Sequence, residues 1–295
     1  MRLIMKINMR LIKLTVNKFL SMKLFGISFI IFVFVFYSCS PKPYSNTNKV
    51  YAKQSKSFAK RIAAAPLNLI IADSFKSSSF NAYTTNFGIR KPNIVVIHYT
   101  AQNSCEQTLQ TFTKPATQVS AHYVICKDGT LHHMLNDYLR AWHAGVGKWG
   151  NTTDVNSNSI GIEIDNNGVD SFSTAQINTL LGVLAFLKKE YNIPAENFIG
   201  HSDVAPARKI DPGLLFPWKA LSEKGFGFWY SDTTNIIVPQ DFNMKYALKI
   251  IGYDVTNLQN AIGAFKRHYL NSANNNLFTK PEEKVLYAVV QKYLN

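Results

Sequence analysis

With 295 residues, of which 46% are hydrophobic, 13% aromatic and 17% charged, the chain can build one large domain or a medium one with a small companion, and global disorder is excluded. Three cysteines without a C-x-x-C pair exclude a disulfide scaffold, a zinc ribbon and a thioredoxin-like redox site, so any metal must be held by His, Asp or Glu. Of the formal charge of +14, +6 falls within residues 1–38, where Arg2, Lys6, Arg10, Lys13, Lys18 and Lys23 face no acidic residue, and the remaining +8 is spread along the chain. Elsewhere no basic run interleaves with aromatics, which argues against a nucleic-acid partner and leaves a solvated cationic surface or an affinity for polyanionic envelope material.

In chain order, the first element is the uncharged apolar stretch Leu24 to Tyr37, preceded by Lys23 and followed by Ser38-Cys39-Ser40-Pro41. It is shorter than the ~20 residues that span a bilayer as a helix, and it reads as a secretory signal over residues 1–38. A small residue directly before Cys39 resembles a bacterial lipobox, although Phe36 and Tyr37 are bulkier than usual there. The resemblance implies cleavage before Cys39 and acylation of its thiol. Met22 begins a self-sufficient signal and is an alternative start. Residues 39–67 are polar, basic and proline-containing, and are expected to form a flexible tether.

The body, residues 68–232, alternates strands with helices, which predicts an α/β fold with a mixed central sheet flanked by helices. Asn93 to Ile97 is a β-branched run ending at His98; His122–Cys126 and Leu131–Leu135 flank an Asp-Gly turn and predict a hairpin. Ile160, Ile162 and Ile164 alternate with Gly161, Glu163 and Asp165, so Glu163 points away from the isoleucine face. Ser173 with Gln176 makes a capping box for a long amphipathic helix that stops before Pro194, and Phe198-Ile199-Gly200 leads into His201. Residues 235–295 predict three short helices, around 242–251, 257–270 and 281–293, a bundle too small to fold comfortably without a neighbour.

Ligands of open α/β sheets gather beyond the carboxyl ends of strands, where His98 and His201 sit. Asp211 lies ten residues after His201 in a Pro-bounded loop able to fold back. Two imidazoles and one carboxylate suit one zinc ion that keeps a fourth position open for water. Glu163 is the best-placed carboxylate to take that water's proton, and Lys209, two residues before Asp211, could steady an oxyanion. His122 reads as packing or hydrogen-bonding, and the adjacent His132 and His133 must face opposite ways.

These residues carry a family resemblance. IVVIHYTA (94–101), SAHYVICKDG (120–129), AWHAG (141–145), NSIGIEI (158–164) and GHSDVAPARKIDPGLLFPW (200–218) resemble, in order, the type 2 zinc N-acetylmuramoyl-L-alanine amidases, relatives of the peptidoglycan recognition proteins. The lipobox and helical tail are similar to the outer-membrane lipoprotein branch of that family. The resemblance implies Zn2+ held by His98, His201 and Asp211, with Glu163 as catalytic carboxylate and Lys209 as transition-state stabiliser. It implies peptidoglycan or muropeptides as substrate, with Trp142, His143, Ala144, Gly145 and Arg208 as candidate contacts. Core burial for Trp142 and a loop-holding role for Arg208 remain open. The glycine-rich 146–150 stretch is expected to form a mobile groove wall. The tail resembles a peptidoglycan-binding module, with plain scaffolding as the alternative. Ser40 after an acylated Cys39 implies, by the sorting rule of enteric Gram-negative bacteria, an outer-membrane anchor facing the periplasm. The rival function is a non-catalytic peptidoglycan receptor on the same fold; a zinc endopeptidase lacks support because no H-E-x-x-H occurs. Cys105 and Cys126 are expected as free buried thiols.

Overall fold

The computed structural model describes residues 42–63, 91–272 and 274–295; the expected signal segment and Cys39 lie outside them. The first described element corrects the expected tether: Ser45–Ala63 is a helix, α1, with no buried side chain. After Pro43 the segment has no Pro or Gly before Pro66 and is rich in Lys and Ala, so local propensity favours helix even without a buried apolar stripe. The described residues from 91 onward form a compact unit of their own.

In that unit, β1 (Ile94–Tyr99) is followed by α2 (Cys105–Thr113), the hairpin β2 (Tyr123–Ile125) and β3 (Leu131–His133), and β4 (Ser159–Ile164). Helix α3 (Thr174–Tyr191) then leads to β5 (Phe198–Gly200), the single turn α4 (His201–Val204) and α5 (Trp218–Ser222). The tail holds α6 (Met244–Ile251), α7 (Leu258–Leu270) and α8 (Lys280–Leu294). The sheet order is β3-β2-β4-β1-β5, with only the β2–β3 pairing antiparallel, which is the expected mixed sheet. The two-residue alternation along β1 and β4 sorts their side chains. Val95, Ile97, Ile160, Ile162 and Ile164 face α3, where Leu180, Leu184 and Leu187 are fully buried. Helix α3 starts at the expected capping box, with Ser173 Oγ accepting from Gln176 N and Gln176 Oε1 from Ser173 N.

The other face joins the tail. Ile94 and Val96 share one core with Trp149, Val204, Leu248, Ile251, Tyr253, Phe265, Leu286 and Val289. Each such side chain contributes about 1.5–3 kcal/mol on burial, so the tail helices are fastened to the sheet. The boundary near residue 235 is a change of secondary structure and not of core.

A second correction concerns Cys105 and Cys126, which are joined in a disulfide with Cα atoms 5.2 Å apart. The start of α2 and the residue after β2 meet only in the folded chain, which spacing cannot show.

Candidate active site

Parallel pairing sets His98 directly beside Glu163 and Ile97 beside Ile162, so the histidine and the carboxylate emerge on one face of the sheet. His201 opens α4 immediately after β5, the other neighbour of β1. The loop carrying Asp211 folds back, and Ser202 N donates to the Asp211 carbonyl at 2.8 Å. Three donor atoms thereby converge: His98 Nδ1 and His201 Nδ1 are 2.9 Å apart, and Asp211 Oδ2 lies 3.1 and 3.0 Å from them. All three side chains are buried. Ligands at ~2.0–2.1 Å around a tetrahedral zinc lie about 3.3 Å from one another, so this triangle fits a metal ion.

The far nitrogens fix which atoms face the centre. His201 Nε2 lies 3.1 Å from the Ala144 carbonyl, which can only accept, so Nδ1 carries the lone pair. Behind His98 the chain of bonds is longer. Ser159 Oγ donates to the Val155 carbonyl at 2.6 Å and therefore accepts from His143 Nε2 at 3.1 Å. His143 Nδ1 is then free to accept from His98 Nε2 at 3.0 Å, leaving His98 Nδ1 as a lone pair aimed at the centre. This order needs neutral imidazoles. Burial, with the adjacent His201 next, lowers the His98 pKa to about 4, and burial with the neighbouring His98, His122 and His201 holds His143 well below its usual value. Burial raises the Asp211 carboxyl, but the hydrogen bonds with His201 and His98 outweigh it and keep the group far below the carboxylate range.

Glu163 is 9% exposed, and its Oε2 has no hydrogen-bond partner. Burial and then the charge of Asp211 push its pKa well above the ordinary value, with Lys209 opposing. Lys209 thus lies within electrostatic reach of both Glu163 and His98. A buried carboxyl with a raised pKa and a free oxygen beside a metal-ligand cluster is what proton transfer needs.

Comparison with known proteins agrees with this geometry. Residues 89–214 match the N-acetylmuramoyl-L-alanine amidase family model. N-acetylmuramoyl-L-alanine amidase AmiD of Escherichia coli is 31% identical over 231 residues, which cover 68% of this chain and 83% of that protein. The chain belongs to the N-acetylmuramoyl-L-alanine amidase family. The E. coli 1,6-anhydro-N-acetylmuramyl-L-alanine amidase AmpD is 40% identical over 101 residues, 34% of this chain and 55% of that protein. Among solved structures, E. coli AmiD with anhydro-N-acetylmuramic acid-L-Ala-D-gamma-Glu-L-Lys matches with a TM-score of 0.62 at 27% identity, covering 75% of this chain and 96% of that one. AmpDh3 of Pseudomonas aeruginosa matches with 0.63 at 28%, covering 78% and 100%.

In this amidase the 141–150 loop is held more firmly than its glycines suggest. Asn156 Oδ1 accepts from His143 N and Ala144 N, Lys148 N donates to the Val204 carbonyl, and Gly150 N to the Gly252 carbonyl. The expected mobile wall is therefore tied down on three sides. Ala144 is buried and offers its carbonyl to His201 and Arg208. Arg208 also donates to the Val146 carbonyl through Nε at 2.8 Å, so its loop-holding role is the one the structure shows. Gly145, at φ +59°, sits against the Arg208 guanidinium. Trp142 is 52% exposed, which rules out core burial, while the buried indole belongs to Trp149, packed on Tyr253. His143 stands behind His98, partly buried and bonded at both nitrogens. His122 hydrogen-bonds Gly161 N and the Leu139 carbonyl, as its packing role implies.

Sequence reasoning missed Ser159, Asn156 and Gly161. A Cβ at Gly161 would sit 2.4 Å from the His143 ring, so only glycine lets that imidazole lie across β4. The retrievable signal was the small residues Ser159 and Gly161 in the outward positions of a buried strand.

Proposed function

We propose that the chain is a zinc-dependent amidase that hydrolyses the amide between the lactyl group of N-acetylmuramic acid and the L-alanine of the stem peptide, in peptidoglycan or its muropeptide fragments. The observation that carries this reading is the convergence of three lone pairs, from His98, His201 and Asp211, beside the unpartnered oxygen of Glu163. The solved AmiD complex holds an anhydromuramyl peptide of this chemical class, which supports the substrate.

Zinc bound by His98, His201 and Asp211 would act as a Lewis acid toward the scissile carbonyl and the attacking water. Glu163 takes the water's proton at Oε2 as the hydroxyl adds to the carbonyl carbon, then delivers it to the nitrogen as the C–N bond breaks. Lys209 offsets the negative charge that develops on the carbonyl oxygen. His143 and the Ala144 carbonyl hold the two imidazoles in the tautomers that ligation requires. Exposed Trp142 offers an apolar face for the sugar or peptide at the rim.

The reading includes a lipid anchor at Cys39 and an outer-membrane location facing the periplasm, supported by the signal and lipobox pattern of the sequence. Cys39→Ala would move the protein from the membrane to the soluble fraction.

The test is mass spectrometry of products from purified cell wall, with and without a chelator. Release of free stem peptides beginning with L-alanine, lost on chelation and restored by zinc, is expected. Wall binding without release would instead indicate a receptor, and a new amino terminus elsewhere in the stem an endopeptidase.

A further inference from the structure

Asp203 is fully buried two residues beyond His201, and it belongs to no part of the chemistry above. Three donors end on its carboxylate. Gly200 N reaches Oδ2 at 2.7 Å, His268 Nδ1 reaches the same oxygen at 2.8 Å, and the Tyr253 hydroxyl reaches Oδ1 at 2.8 Å. The first bond starts α4, the turn that presents His201. The other two come from the helical tail, from the segment after α6 and from the last turn of α7. The His268 ring is stacked on Trp218 of α5, centroids 3.9 Å apart and 13° from parallel. Trp218 in turn closes over Gly200, where a Cβ would meet it at 3.1 Å and Pro212 at 2.7 Å. Ser202 N, on the same turn, carries the link to the Asp211 carbonyl.

We infer that His268 and Tyr253 make the helical tail a positioning element for the metal-ligand turn: through Asp203 they hold His201, and through Ser202 they hold Asp211, in the geometry that binds the ion. This rests on the zinc reading above and gives the tail a role distinct from wall binding. A carboxylate buried to this depth is stable only while its donors are in place. Losing one tail donor lets Asp203 turn toward another partner, and α4 turns with it because the Asp203 side chain caps its first turn through Gly200 N. Both residues act at a distance from the reacting atoms. Neither is a catalytic residue.

The test is the zinc dissociation constant of the full chain, read by competition with a chromogenic chelator, in His268→Leu, His268→Asn, Tyr253→Phe and Val289→Ala. Val289 lies in the same tail core, far along α8 from Asp203 by sequence and without a bond to it, so its variant reports general loosening of the tail. Outer partners of metal ligands change metal affinity by roughly 10–100-fold when lost. His268→Leu is expected to weaken zinc about tenfold and Tyr253→Phe by a smaller factor. His268→Asn, whose amide can still donate to Asp203, is expected to recover most of the loss, and Val289→Ala to bind as the unaltered chain does. The visible spectrum of the cobalt-substituted protein should shift in His268→Leu and not in Val289→Ala. Equal affinities in all variants, or an equal loss in Val289→Ala, would overturn the inference while leaving the amidase reading intact. An unaltered chain that takes up no zinc would overturn both.

Discussion

On one side of the central sheet Val95, Ile97, Ile160, Ile162 and Ile164 pack against Leu180, Leu184 and Leu187 of α3, all of them at or near zero exposure. On the other side the alternate residues of the same strands are Ile94 and Val96, which join the core of the tail, and then His98, Ser159, Gly161 and Glu163. One face is made of apolar contacts that stabilise the fold. Beyond Ile94 and Val96, the opposite face buries imidazoles and an unpaired carboxyl, groups that cost stability unless something binds them. Because β1 and β4 supply both faces, the stable side holds the costly side in register, and a change on either should separate binding chemistry from folding energy.

The largest separation is expected at Glu163. Glu163→Gln should lower turnover by about 10²–10⁴-fold, the range of a lost general acid–base group, with zinc still bound. The same variant should be more stable than the unaltered chain at pH 7. The folded-state pKa of Glu163 is raised, so its stabilising contribution is present below the unfolded value of 4.5 and is lost as pH rises through the folded pKa. Thermal unfolding of the metal-free proteins checks this, and the gap in Tm should close at pH 4.

On the apolar face, Leu184→Ala should lower unfolding free energy by about 2–5 kcal/mol while leaving zinc affinity unchanged below the melting range. Urea unfolding beside a chelator titration would show whether the faces separate as stated. A joint loss of stability and metal affinity would break the comparison.

A third effect is the pH dependence of the metal-free protein in the Glu163→Gln background, where the opposing carboxyl is gone. His98 has a folded pKa of about 4 against an ordinary 6.5. The unfolded chain therefore binds more protons between these values, and stability present above pH 6.5 falls as pH drops toward 4, by about 3 kcal/mol at most from this group. His98→Asn should flatten the curve. The smallest of the four is Gly161→Ala. The added methyl meets the His143 ring, displaces it from His98 Nε2 and Ser159 Oγ, and should weaken zinc roughly tenfold while lowering Tm modestly.

The candidate metal ligands were legible in the sequence because each sits where the chain announces it. His98 and His201 end apolar runs, and Asp211 stands next to a proline in a short return loop. Glu163 was legible through strict alternation with three isoleucines. The role of His143 was not, since whether an imidazole in a loop faces substrate or backs a ligand depends on Gly161 and Ser159, residues that no pattern joins to it. Arg208 was equally ambiguous until its guanidinium was found on the Ala144 and Val146 carbonyls.

What the sequence by itself determined is what short-range physics sets: the alternation that builds a mixed sheet, the capping box of α3, the three tail helices and the residue types suited to a metal. Only the tertiary structure decided the Cys105–Cys126 bond, the fusion of the tail with the sheet's core and the convergence of two tail side chains on Asp203. These join segments far apart in the chain. Such contacts depend on how elements pack in space, and spacing along the chain carries no measure of that.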